Sequence, residues 1–280
     1  MSDKPIQQSD RGILKAELAR RKFALRRIEP SPDLAPYIEH YWTVRWDLSG
    51  QAPFSQVILS YPNINLSFER DHNGPFAGVY GVPRSTYTRY LQDEGEVLGI
   101  KFRPGGFHPF WRRPAALLTG RILDAKEIFG EEAGEPAARI FAAETDEARI
   151  RLAEAFLRSR QPEPDDQIRL IGDLVRQVID DRTLTKVEEL VDRFGLSKRS
   201  LQRLFSRYVG VSPKWVIQRF RLQEAAELIE QDRGIPDWTR LSQDLGFYDQ
   251  AHFIKSFKAM IGKSPEAYSR ELDLPSSAEA

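Results

Sequence analysis

Between Arg193 and Gln223 the chain carries Arg193, Lys198, Arg199, Arg203, Arg207, Lys214, Arg219 and Arg221, and not one Asp or Glu. Cations gathered without compensating acid suit the phosphates of a nucleic acid, where each neutralised charge releases counterions. Arginine can also pair two-pronged with a guanine edge and glutamine with adenine, and Gln202 stands inside this run. A second stretch, GFYDQAHFIKSFKAMIG from Gly246 to Gly262, sets His252, Lys255 and Lys258 within a comb of Phe247, Phe253, Phe257 and Ile261. Over the whole chain Lys plus Arg number 41 and Asp plus Glu 41, so a nucleic-acid footprint has to be a local patch.

Other chemistries find little purchase. The chain has no cysteine, which excludes disulfides, thiolate nucleophiles and thiolate metal sites. His40, His72 and His108 are isolated in sequence, without the clustered His and Glu ligands of a cupin metal centre. No Ser/His/Asp spacing stands out, and Arg103-Pro104-Gly105-Gly106 reads as a turn at a strand end. No catalytic residue, metal or cofactor is expected.

The elements that must position the basic residues are helices. A repeat of about 52 residues relates Leu201, Phe205, Gly210, Ser212 and Pro213 to Phe253, Phe257, Gly262, Ser264 and Pro265, while Gly195 matches Gly246 one residue out of step. Thr185 with Glu188 has the pattern of a capping box, Gly195 suits the left-handed residue that stops a helix, and Ser197 caps the next. In that next helix Leu201, Leu204, Phe205 and Tyr208 form an inward stripe, leaving Arg199, Gln202 and Arg203 opposite, with Lys198 and Arg207 at the edge. Ser212-Pro213 and Ser264-Pro265 start two further helices. Each unit is thus a helix-turn-helix whose second helix suits the major groove. The helix from Pro213 to Gln231 would span ~28 Å and could hold two such helices near the ~34 Å repeat of a duplex.

The front half has a different grain. In HYWTVRWDL, Trp42, Val44 and Trp46 alternate with Thr43, Arg45 and Asp47, and VILSYPNINLSFER, PFAGVYGV, TRYLQ and EVLGIKFRP continue in that style. This predicts a small antiparallel sandwich or barrel. AALLTGRILDAKEIFG and EARIRLAEAFLRSR have helical spacing, the latter with a stripe of Ile150, Leu152, Phe156 and Leu157. The expected class is α+β: an extension over 1–27, a β-rich domain over 28–120, a helical connection over 121–160, a linker over 161–166, an all-α double helix-turn-helix domain over 167–272 and a disordered tail over 273–280. No run approaches the ~18 apolar residues of a membrane span, and the first residues lack the apolar core of a secretory signal. A cytoplasmic protein that does not enter the membrane is expected.

Residues 183–270 resemble the DNA-binding domain of the AraC/XylS family of transcription regulators, with SLQRLF and GVSPKWVIQRFRLQEA similar to the first unit and linker helix, and LGFYDQAHFIKSFKAMIGKSPEAY to the second unit. Ser242 stands where the family usually has alanine, and Lys255 where it more often has arginine, which keeps the charge without the two-pronged geometry. The resemblance implies double-stranded DNA as partner, met by Ser197, Lys198, Arg199, Gln202, Arg203 and Arg207 of the first unit and by Asp249, Gln250, Ala251, His252, Lys255 and Lys258 of the second. Lys214 and Arg219 are expected on the DNA backbone. Residues from Ile28 to Gly120 resemble an uncharacterised, cupin-like sensor domain found ahead of such DNA-binding units. That implies a bacterial regulator controlled by an unidentified small-molecule effector or by homodimerisation, with RNA polymerase as a partner at promoters. Trp42, Trp46, Tyr61, Phe68, Tyr80 and Phe102 are the candidates for an aromatic effector pocket. Two rival classes are a cupin-like metal enzyme fused to a DNA-binding domain and an effector-independent DNA-binding module. Isolated histidines speak against the first, and base-reading side chains on one helix against the second.

Overall fold

The computed structural model describes residues 19–58, 61–160, 162, 164–231 and 237–273. Residues 1–18 of the expected extension, Gln161 and Glu163 of the expected linker, and residues 274–280 of the expected tail lie outside the described residues. The chain divides into two compact units, one of Met1–Asp173 with Arg203–Val211 and one of Leu174–Gln202 with Ser212–Ala280.

Eight described strands build the first unit: β1 (Ala24–Ile28), β2 (Ile38–Leu48), β3 (Phe54–Ile58), β4 (Asn65–Asp71), β5 (Gly74–Tyr80), β6 (Tyr87–Leu91), β7 (Asp93–Phe102) and β8 (Ile122–Asp124). Six of them form an antiparallel sheet in the order β1-β2-β7-β4-β5-β8, and β3 pairs with β6 in a separate ribbon. Alternation gives the large sheet two chemically distinct faces. Tyr41, Leu66, Phe68, Val79, Leu98 and Ile100 share the face that packs against helices and forms the main core. The face bearing Trp42, Val44 and Trp46 has a small apolar cluster with Leu48, Leu91 and Val97 at one end. Farther along it, Ser67 and Glu69 are buried at 2% and 6% exposure. Alternation in HYWTVRWDL is therefore real, but the larger core lies on the side of Tyr41, because helices cover that side.

Those helices are α1 (His108–Trp111), α2 (Ala125–Phe129), α3 (Gly134–Ala142) and α4 (Asp146–Ser159). Helix α4 brings Ile150, Ala153, Phe156 and Leu157 into the core, while Leu152 is half-buried at its margin. Its buried acids lock it to the sheet: Asp146 accepts from Arg26 Nη1 at 3.0 Å and Thr43 Oγ1 at 3.2 Å, and Glu154 from Ser31 Oγ at 2.8 Å and Tyr41 Oη at 3.2 Å. AALLTGRILDAKEIFG is only partly helical. Gly120 at φ +72° ends a short turn, residues 122–124 join the sheet as β8, and Asp124 then caps α2 with Glu127 reaching back to its N–H at 3.1 Å.

Trp42 and Trp46 lie opposite Gly99 and Gly95 of β7, and their indoles occupy the space a side chain there would fill. Beside Trp42 in β2, His40 is 6% exposed and its Nδ1 has no hydrogen bond. Burial, then Lys101, with Arg27 and Arg103, holds its pKa down near 3 against the opposing pull of Glu39. Between about pH 6.5 and 3 the unfolded chain therefore binds a proton that the folded chain refuses, so stability falls as pH drops through that window, by at most ~1.4 kcal/mol per unit. Urea unfolding of wild type and His40→Gln at pH 7 and pH 4.5 checks this: the variant is expected to lose less on acidification, and equal losses would refute it.

Candidate nucleic-acid interface

The second unit rests on α5 (Asp166–Asp180), α6 (Val187–Phe194), α7 (Lys198–Leu204), α8 (Pro213–Gln231), α9 (Trp238–Asp244), α10 (Gln250–Ile261) and α11 (Pro265–Asp273), of which α5 and α7 each run across the division between the two units. In the first helix-turn-helix, Glu189 Oε1 accepts the N–H of Lys186 at 2.9 Å and of Thr185 at 3.3 Å. Helix α6 thus begins one residue later than a Thr185/Glu188 box would place it, and Glu188 instead meets Lys198 Nζ at 2.8 Å. Gly195 at φ +61° ends α6. Ser197 Oγ then accepts the Ser200 N–H at 3.1 Å, so its hydroxyl serves the helix start. Leu201 and Phe205 are fully buried and Tyr208 nearly so, whereas Lys198, Arg199, Gln202, Arg203 and Arg207 are exposed.

The acid-free run is not a uniform positive stripe. Arg193 pairs with Asp181 and Lys198 with Glu188. Arg219 is only 4% exposed, lies 5.4 Å over the Trp215 ring, and is pulled down to about 10 by burial. The expectation that Arg219 meets the DNA backbone is corrected by that placement. Arg221 is 2% exposed and likewise faces inward. The signal was present in sequence, since Val216 and Leu222 flank Arg219, and Ile217 and Ala225 flank Arg221, at helical spacing on the buried side of α8. Lys214, in the first turn of α8, is exposed.

In the second helix-turn-helix, Asp237 caps α9 through the N–H groups of Thr239 and Arg240 at 3.0 and 3.1 Å. Ser242 is wholly buried, but its hydroxyl donates to the Thr239 carbonyl at 2.8 Å, so the departure from alanine leaves no unsatisfied group. Gly246 turns the chain at φ +74°, where a side chain would come 2.5 Å from Thr185 Cβ. Asp249 caps α10 by accepting the His252 N–H at 2.7 Å. Phe253 and Phe257 are fully buried, with Phe247 and Ile261 beside them, and ring centroids 5.4 Å (Phe247 to Phe253) and 5.8 Å (Phe253 to Phe257) apart. Ala251, Lys255 and Lys258 are exposed. Gln250 and His252 are half-buried: Gln250 Oε1 accepts from Thr239 Oγ1 at 3.1 Å, and the His252 ring stands against Phe247 with its Nδ1 buried and without a hydrogen bond.

The six aromatic candidates in the first unit do not form one group. Phe68 and Phe102 belong to the main core at 3% and 0% exposure, which corrects their assignment to an effector pocket, because their strand parity points them at the helices. Trp42, Trp46 and Tyr80 share the opposite face, and Tyr61 lies under Lys101 Nζ at 4.3 Å. On that face Glu69 accepts from Ser67 Oγ at 2.6 Å and Tyr80 Oη at 2.5 Å and faces Arg89 of β6, and burial followed by Glu69 pushes the Tyr80 phenol above its ordinary range. A cleft of about 530 Å³ lined by Asp71, His72, Tyr87, Arg89 and Gln92 opens beside this cluster. The polar alternation of Asn65, Ser67, Glu69 and Asp71 could have located it from sequence. Among the described residues no group of three or more His, Cys, Asp or Glu side chains is placed to hold a metal ion, and no helix is long and apolar enough to cross a membrane.

Residues 26–124 match the family model of a domain of unknown function (DUF6597), and residues 190–271 match that of a helix-turn-helix domain. An uncharacterized HTH-type transcriptional regulator of Haemophilus influenzae is 30% identical over 88 residues, 31% of this chain and 29% of the relative. The HTH-type transcriptional regulator MtrA of Neisseria gonorrhoeae is 31% identical over 107 residues, 38% of this chain and 35% of the relative. The chain thus spans about a third of the length of these relatives. The crystal structure of a probable AraC family transcriptional regulator from Rhodopseudomonas palustris matches 39% of this chain and 98% of its own at 24% identity, with a TM-score of 0.34.

Proposed function

We propose that this chain, which carries a helix-turn-helix domain over residues 190–271, is a cytoplasmic transcription regulator of the AraC type and not an enzyme. It binds specific double-stranded DNA through two helix-turn-helix bodies and answers to a small molecule, or to self-association, through its first unit. One observation carries this reading. Arg199, Gln202 and Arg203 stand exposed on the second helix of one glycine-turn body, and Ala251 and Lys255 on the second helix of the other. Helix α8, at 19 residues or about 28 Å, is long enough for the two second helices to enter successive major grooves. Half-buried His252 joins the second set through whichever ring edge the groove reaches, while Ser197, Asp249 and Gln250 act first as caps and turn braces.

Selection of the full chain on a randomised duplex library, followed by affinity against salt, tests the reading. A motif spanning two adjacent grooves, bound at least ~1000-fold tighter than a scrambled duplex, is expected. Steeply salt-dependent binding with no motif would sink the claim of specificity. On the selected site Arg203→Ala is expected to cost ~1–3 kcal/mol and relax the preference at one base pair. Lys214→Ala is expected to weaken every sequence alike and lower the salt slope by about 1. Equal losses on cognate and scrambled duplexes for Arg203→Ala would remove it from the base-reading set.

The effector is assigned to the sheet face of Trp42 and Tyr80, where buried Glu69 and half-buried Arg89 supply polar anchors. Its binding would alter promoter occupancy and recruitment of RNA polymerase by shifting the population of DNA-competent molecules. A metabolite that raises the melting temperature of wild type but not of Glu69→Gln would support that site, whereas an equal rise in both would place the ligand elsewhere.

A further inference from the structure

The two helix-turn-helix bodies differ by one residue in their turns. Between Gly195 and the cap Ser197 stands Leu196 alone, whereas between Gly246 and the cap Asp249 stand Phe247 and Tyr248. Leu196, just ahead of its cap, is half-buried. In the second body the apolar duty falls to Phe247, 6% exposed and 5.4 Å from Phe253 in ring centroids. Tyr248 is thereby released from the core and stands 92% exposed, the most exposed of the large hydrophobic side chains among the described residues. A ring held in water next to the start of α10 does nothing for folding, and its position one residue before the cap puts it at the same helix end as Ala251, with Lys255 about one turn further along.

Resting on the DNA-binding reading above, we propose that Tyr248 is a contact of the second helix-turn-helix to the DNA backbone, its hydroxyl donating to a phosphate oxygen at the rim of the groove that α10 enters. Tyrosine hydroxyls are among the neutral donors that meet phosphates and fix register without reading sequence. The Asp249 carboxylate at the cap repels a phosphate from the helix axis itself. The neutral phenol one residue earlier reaches past that charge. The chemistry carries a signature: a neutral donor adds affinity without releasing a counterion, so its loss leaves the salt slope untouched, unlike the loss of a lysine.

Full-length wild type, Tyr248→Phe and Lys255→Ala are compared on the selected duplex and a scrambled one across a salt series. Tyr248→Phe is expected to weaken both duplexes about 2- to 10-fold with an unchanged slope of log affinity against log salt, while Lys255→Ala lowers the slope by about 1. The urea midpoint of Tyr248→Phe stays that of wild type, since the hydroxyl is in solvent. Wild-type affinity in Tyr248→Phe overturns the assignment, as does a loss confined to the selected duplex, which would make Tyr248 a base reader. Wild type that retains no duplex at any salt overturns the DNA-binding reading and this contact with it, which separates the two failures.

Discussion

Arg221→Ala is expected to destabilise the second unit by about 3–5 kcal/mol. The guanidinium is 2% exposed and donates to the carbonyls of Val178 at 2.6 Å and Arg182 at 2.5 Å, with Glu224 at 2.9 Å, so it ties the middle of α8 to the end of α5 and the loop beyond. Burial depresses its pKa more than Glu224 restores it, which marks a charge taken out of water for structural ends. Alanine leaves the two carbonyls without their donor and Glu224 with Arg182 alone, at 3.5 Å, and opens a cavity where the stem ran. Arg221→Met restores most of the stem but none of the donors, and is expected to recover only the packing share. Urea unfolding of the full chain distinguishes the two: a loss below ~1 kcal/mol for alanine would show that the network relaxes without cost.

Gly246→Ala is the second large effect. At φ +74° a side chain costs ~1–2 kcal/mol, and here it would also stand 2.5 Å from Thr185 Cβ, for a total of about 2–4 kcal/mol. Gly195→Ala supplies the control, because Gly195 has φ +61° but nothing within 4 Å of the added carbon. Only the ~1–2 kcal/mol of backbone strain is expected there. If both substitutions cost the same, the approach of the second turn to Thr185 is not a rigid contact.

The helix-turn-helix bodies were legible because helix signals are local. Gly195, Ser197, Ser212 and Ser264 act where their chemistry places them, and the comb of Phe247, Phe253, Phe257 and Ile261 is the core it spells. The cap at Lys186 slipped by one because Glu188 and Glu189 are adjacent and either can reach back; Lys198 decides by taking Glu188. Charge in α8 was read as surface since a cation run hides which members lie on an apolar stripe, and Arg219 and Arg221 do. In the sheet, alternation separates two faces without saying which one the helices will cover. That depends on contacts far away in sequence, such as Asp146 with Thr43 and Glu154 with Tyr41. Strand β8 is three residues long, too short for any period to register.

Trp42 sets what its neighbour Gly99 can become. A methyl group on Gly99 would sit 1.9 Å from the Trp42 ring, and the same holds at 2.1 Å for Gly95 and Trp46. Any lineage that enlarges the glycine must shrink its tryptophan, and one that trims the tryptophan first leaves the glycine free to drift. Across relatives of this domain a larger residue in the glycine column is therefore expected only where the tryptophan has already gone, a one-way record of the sheet's packing readable in sequences alone.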